Sequence, residues 1–277
     1  MTAHSVDRTA DTPRVAVKPV SFARVVHSEW IKLWSLRSTY WTVLATLAAM
    51  VLIAVMLGVA SLVDEGAAGP NGQMAIGMGY SFAQVVVAVL GVMTITGEYT
   101  TGMIRSTLAA VPTRMPALAA KAVLVAGLGF VLGVVGVTLS YLASYPLLGA
   151  DGAASLSDPE VQRIFWGSGL YLAGVGLFGL AIGAVVRHTA GAITLVLGVL
   201  LLLSTLWQLL MMTSDWFTTS YPYLPSTAGE RIAVPEVTSA IAGAPQALAP
   251  WAGFGVFILY VTLTFLVAAV LLKRRDA

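Results

Sequence analysis

The chain has no cysteine, which excludes disulfides, cysteine-bearing metal sites and thiol chemistry. Charge is scarce as well, at 10% of residues against about 25% in ordinary globular chains. No Gly-Lys dipeptide occurs, so the chain has no P-loop and no means of hydrolysing ATP by that route. The histidines are His4, His27 and His188, and none has a second ligand at metal spacing. Ser168, in Gly167-Ser168-Gly169, and His188 stand at opposite ends of one apolar run. About 20 residues of helix, roughly 30 Å, would keep them from forming a catalytic dyad. No catalytic residues are assigned, and the chain is not read as an enzyme. Every charged residue lies outside the apolar runs or within about a turn of their ends, Glu98 and Lys121 coming closest. Proton- or sodium-coupled transporters usually keep ionisable groups inside their spans. Nor do two matching halves with interrupted helices stand out, as they do in many secondary transporters.

What the sequence does have is hydrophobic runs. Apolar residues make up 58% of its 277 residues, and the mean hydropathy is +0.86. The runs approach or exceed the ~20 residues that cross a bilayer as a helix. Lipid offers backbone groups no partners, so such runs must be helical. The spacing predicts an all-α, polytopic membrane protein with six spans, over residues 39–63, 75–96, 118–142, 165–186, 190–212 and 251–272. The first run is too long for the roughly 7–15-residue core of a signal peptide and reads as a span that stays. Tyr145-Pro146 is expected to end the third span. Gly129-x-x-x-Gly133 and Gly179-x-x-x-Gly183 are expected to let neighbouring helices approach closely.

Segments between the runs differ in character. Residues 1–20 mix charges and prolines and read as a flexible tail. Over residues 21–38, Phe22, Val25, Val26, Trp30, Leu33 and Trp34 fall on one helical face. Two tryptophans with basic neighbours suit a helix lying in the headgroup region. Glu29 is expected to pair with Lys32 or Arg37 as ordinary surface electrostatics. Residues 213–250 carry five prolines and several aromatics and read as short helices dipping into the outer leaflet. Six spans put both termini on one side of the membrane. Apart from Arg163 and Arg231, every basic residue then falls on that same side. By the positive-inside rule both termini, including the basic tail 273–277, are cytosolic. The expected location is the plasma membrane.

The most distinctive stretch is the polar interruption at residues 97–117, which lies on the cytosolic side in this topology. Met103, Ile104, Leu108 and Val111 recur there at helical spacing until Pro112, with Arg105 on another face. Glu98, then Gly102 four residues on, then Pro112-x-Arg114 and Lys121 resemble the cytosolic loop of ABC-2-type exporter permeases. Residues 28–41, with Glu29, Trp30, Lys32, Trp34 and Arg37, resemble the elbow helix of the same family. Tyr223-Leu-Pro-Ser-Thr-Ala-Gly-Glu230 is similar to its external re-entrant segment.

The resemblance implies a drug- or antibiotic-resistance-like permease of a bacterial exporter, with a coupling helix at residues 97–117 that docks on a separate ATPase. Two ATPase subunits and a second or paralogous permease would be the partners, alongside the bilayer and without nucleic acid. ATP and magnesium would be bound by the ATPase, leaving no cofactor on this chain. The substrate path implied by the family runs between permeases along spans two and five. Tyr80, Phe82, Gln84, Met93, Trp207, Gln208, Met211 and Met212 lie there. These residues suit an amphipathic, drug-like or lipid-like molecule. A non-transporting scaffold subunit and an ion-coupled transporter are the alternatives.

Overall fold

The structure, a computed structural model, describes residues 21–63, 72–110, 115–236 and 247–274. The flexible tail assigned to residues 1–20, the loop at 64–71, Pro112, Arg114 and the last three residues lie outside the described residues. Six of its helical segments are long and apolar enough to cross a membrane, and no strand occurs among the described residues. The protein is a multi-pass helical membrane protein.

Helix α1 (Phe22–Ser35) precedes the first span, α2 (Arg37–Val63). The sharp turn between them is held by Thr39, whose Oγ1 donates to the Leu33 carbonyl at 2.6 Å. The second span begins with a short helix, α3 (Gly72–Gly77), and continues after a turn as α4 (Tyr80–Thr101). A separate helix, α5 (Met103–Ala110), leads towards the third span, α6 (Met115–Gly152). Span four is α7 (Pro159–Val186). Asp158 caps it by accepting the Glu160 N–H at 2.9 Å, and Pro159 occupies the first turn, where its missing donor costs nothing. Arg187, in the left-handed region at φ 58°, ends it. The fifth span is α8 (Thr189–Leu197), a π-turn at Gly198–Leu202, and α9 (Leu203–Leu210). After α10 (Asp215–Ser220), a 3₁₀ turn (Tyr221–Tyr223) and α11 (Pro225–Glu230), the last span is α12 (Pro250–Arg274).

The third span does not end at Tyr145-Pro146 as its sequence indicates. Helical geometry continues through Pro146 and breaks at Gly149, at φ 67° and ψ 178°. A proline removes a single backbone donor, and the neighbouring helical bonds persist around it. Leu147 beyond it packs on Gly58 of α2, 3.0 Å from where a Cβ would stand.

Burial divides the spans sharply. Span four is 72% buried, whereas span five is only 11% buried, so α7 is the axis and span five lies on the periphery. The core is built from Tyr80 and Val87 of α4, Leu172 and Val175 of α7, and Phe257 of α12. Small residues make this density possible. A Cβ on Gly91 of α4 would collide with the Gly176 carbonyl of α7, and one on Gly133 of α6 would stand 2.5 Å from the Ser168 carbonyl. Both pairs of helices therefore meet backbone to backbone.

Gly91→Ala is expected to force α4 and α7 apart and to cost about 1–3 kcal/mol. At Gly97, in the same helix, a Cβ would meet nothing within 4 Å, and Gly97→Ala should be neutral or stabilising by up to about 1 kcal/mol. Thermal midpoints of the two variants in detergent check the contrast.

Candidate functional site

At the α5 end of the bundle, four charged residues from three separate elements share one small space. Their placement follows from where the helices stop. The second span runs past its expected end to Thr101, so Glu98 is a helical residue in its last turn. Gly102, at φ 72°, then allows the left-handed turn that a side chain would oppose, and α5 starts at once. Because α6 begins at Met115, Lys121 lies in its second turn. On α1, Val25, Glu29 and Leu33 repeat every four residues and form the buried face. Val25 seats that face on Ala120 of α6.

The carboxylates and ammonium groups alternate around this space. Lys121 Nζ donates to Glu29 Oε2 at 2.6 Å and to Glu98 Oε1 at 2.8 Å. Lys32 Nζ donates to Glu29 Oε1 at 2.8 Å and to the same Glu98 Oε1 at 2.9 Å. An ammonium has three donors, and both lysines use all of theirs. Lys32 gives its third to Thr107 Oγ1 of α5 at 3.0 Å, and Lys121 gives a longer one to the Thr94 carbonyl at 3.4 Å. Glu98 Oε2 is buried and has no hydrogen-bond partner among the described residues. The quartet is neutral overall, and it links α1, α4, α5 and α6.

Burial decides how much these contacts matter. Glu29, Glu98 and Lys121 are each under one-tenth exposed, and only Lys32 reaches solvent, at 31%. Surface pairs contribute about 0–1 kcal/mol, but stranding one charge of a buried pair costs about 3–5 kcal/mol. Burial alone would lower the Lys32 ammonium, yet hydrogen bonds and charge from Glu29 and Glu98 raise it above its ordinary value. A raised lysine contributes stability that is fully present below its ordinary value. That contribution is lost only as pH rises through the higher value. The Lys32 contacts therefore persist across the neutral range.

Glu29 is thus not the surface pair that its spacing to Lys32 and Arg37 indicates, but the buried link between both lysines. Its i, i+4 spacing with Val25 and Leu33 is the signal that places it on the packed face. Trp30 is exposed instead, with its ring 5.4 Å from Trp34, and Trp34 in turn is 5.3 Å from Tyr40. Arg37 is exposed. On α5, Ile104 points inwards and lines a small pocket with Ile95, Leu118 and Leu272, while Met103 is 46% exposed. Arg105 and Leu108 lie on the same helix.

The residues expected along a substrate path separate into two groups. Tyr80 and Gln84 are buried inside the bundle, whereas Phe82, Met93 and Met212 are exposed. Trp207 and Gln208 are tied to the segment that follows them, through Ser220 Oγ at 2.9 Å and the Tyr221 hydroxyl at 2.8 Å. Met211 is half-buried. The described residues 213–236 of the next segment fold back onto the bundle. There, Arg163 of α7 donates to the carbonyls of Arg231, Ile232 and Val234 at 2.8, 3.2 and 3.0 Å. Comparison with known proteins found no matching family model and no matching curated protein.

Lys121→Met should destabilise the protein by about 3–5 kcal/mol, because it leaves two buried carboxylates to one ammonium. Adding Glu29→Gln should recover part of that loss. Thermal unfolding of the single and double variants measures the coupling, and strict additivity would show that the four groups do not act together.

Proposed function

We propose that the chain is the membrane-spanning permease subunit of an ATP-driven exporter of the ABC-2 type, energised by separate ATPase subunits. The observation that carries this reading is the quartet. It joins a short helix between two spans, α5, to the amphipathic helix α1 and to the spans α4 and α6 through a rigid polar centre. A helix pushed by a partner needs such a connection, since a displacement of α5 passes through Thr107, Lys32 and Glu98 into the spans. The order of motifs along the chain supports the same assignment. ATP and magnesium belong to the ATPase partner in this reading. The exported molecule is amphipathic, drug-like or lipid-like.

In this account α1 lies at the cytosolic interface, both termini are cytosolic, and the membrane is the plasma membrane. The exposed residues Phe82, Met93 and Met212 are available to line a path between two permeases, whereas Tyr80 and Gln84 serve the interior of one. The docking face of α5 must be its outer one, around Met103 and Ser106, because Ile104 and Thr107 are buried in the chain's own fold.

The experiment is co-purification of the tagged chain with a P-loop ATPase encoded beside it, extracted in mild detergent. Met103→Asp/Ser106→Arg should lose the ATPase while leaving a monodisperse membrane protein. Retention of the ATPase by this variant would overturn the docking face, and failure of any ATPase to bind the folded wild type would overturn the exporter reading. Because the chain has no cysteine, topology is directly testable. Thr219→Cys should react with an impermeant thiol reagent on intact cells, and Met103→Cys only after permeabilisation. The reverse pattern would invert the topology.

A further inference from the structure

The opposite end of the bundle holds a carboxyl in a very different setting. Glu230 closes α11, the last helix of the folded-back segment. Its neighbour Gly229 is wedged so tightly that a Cβ would stand 2.7 Å from both the Phe257 and the Tyr171 rings. Glu230 is thereby carried to the start of α4, where its Oε2 accepts the Tyr80 hydroxyl at 2.7 Å. Tyr80 to Glu98 is 18 residues of helix, so roughly 27 Å separates this carboxyl from the quartet.

Four titratable or charged groups surround it. Tyr80 faces it from α4, Tyr171 from α7 and Tyr221 from the 3₁₀ turn, and Arg231 follows it in the chain. Packed beside them, α12 contributes the uncharged Phe257. The Tyr171 hydroxyl is committed elsewhere, donating to Gln84 Oε1 at 2.6 Å. Arg231 directs its Nε to the Leu248 carbonyl at 3.2 Å. Among the described residues, the one hydrogen bond that Glu230 receives is therefore from a neutral phenol, and it forms no ion pair. Glu29 and Glu98 have two ammonium groups between them, but Glu230 has none in contact. Its side chain is enclosed by packed atoms yet keeps part of its surface accessible, as proton exchange requires.

We propose that Glu230 is a proton-binding site whose occupancy sets how firmly the segment from α10 to Glu236 is seated between α4, α7 and α12. With the proton bound, Glu230 is a neutral partner for Tyr80, and the segment stays seated. Without it, a carboxylate with one phenol donor favours states in which the segment moves out to water. Burial, partly offset by the Tyr80 hydrogen bond and the Arg231 charge, raises the Glu230 carboxyl from its ordinary value to about 7. The folded form then holds a proton that the unseated form releases, so seating weakens as pH rises from about 4.5 through about 7. This inference does not require an ATPase partner.

The test uses Ser226, which is buried in α11 against Ser204 and should be reached by reagent only when the segment unseats. Ser226→Cys is made in the full chain, reconstituted in vesicles, with and without Glu230→Gln. The ratio of thiol-labelling rates, Glu230 form over Glu230→Gln form, cancels the pH dependence of the reagent itself. It should rise by up to ~10-fold between pH 6 and pH 8 if the unseated carboxyl titrates normally. A ratio that stays constant with pH would overturn the proposal. Should Glu230→Gln fail to fold, Tyr80→Phe replaces it. Loss of the phenol donor then extends the rise in labelling to higher pH, and an unchanged upper end would contradict the proposal equally.

Discussion

Two carboxylates and one ammonium group almost removed from water, with a second ammonium at their edge, hold the α5 end of this protein together. Each buried ion costs several kcal/mol in lost hydration, and mutual attraction with close hydrogen bonding offsets that cost. Lys32 and Lys121 each spend all three donors, and Glu98 Oε1 serves both. The arrangement therefore tolerates no missing member. It also fixes geometry, because α1 and α5 are each too short to hold a position unaided. The quartet joins two short helices and two span ends into one mechanical unit.

The other end is built on a different principle. Glycines let α7 meet α4 and α6 at backbone distance, and Gly229 lets α11 wedge between the Tyr171 and Phe257 rings. Arg163 then gathers three carbonyls that follow α11, satisfying backbone groups that would otherwise be stranded. Close packing rather than charge pairing sets the order here, and it leaves Glu230 half-buried with a phenol for company. One end of the molecule neutralises its acids with lysine, while the other leaves an acid open to titration.

Much of the fold was legible because lipid is a strict solvent. The six apolar runs correspond to six helices long enough to span, and differences fall at their ends, where sequence periodicity is silent about how long a helix persists. Pro146 reads as a stop in the sequence, yet helical geometry continues past it to Gly149. Glu98 and Lys121 stand out in the sequence as charges near span ends and Glu29 and Lys32 as members of the amphipathic helix, but the convergence of all four does not, because it depends on how α1 folds over α6. The alternation of Val25, Glu29 and Leu33 would have put Glu29 on the packed face. Ile104 reads in the sequence only as part of an apolar stripe; in the fold it faces the pocket beside Leu118 and Leu272. In the sequence Glu230 is only the last residue of the stretch that resembles an external re-entrant segment. Nothing local marks it as partly enclosed, because Tyr80 and Tyr171 reach it from α4 and α7, far away along the chain.

The central claim is that α1 and α5 are one body joined through the quartet. Hydrogen exchange of the lipid-embedded protein, compared between wild type and Lys32→Met, tests it most directly. Lys32 is the member that touches Thr107 of α5 and the only one with appreciable exposure. The account predicts that amide protection falls together in Phe22–Ser35 and Met103–Ala110, while α7 stays unchanged. Loss of protection in α5 alone, or in neither helix, would contradict it.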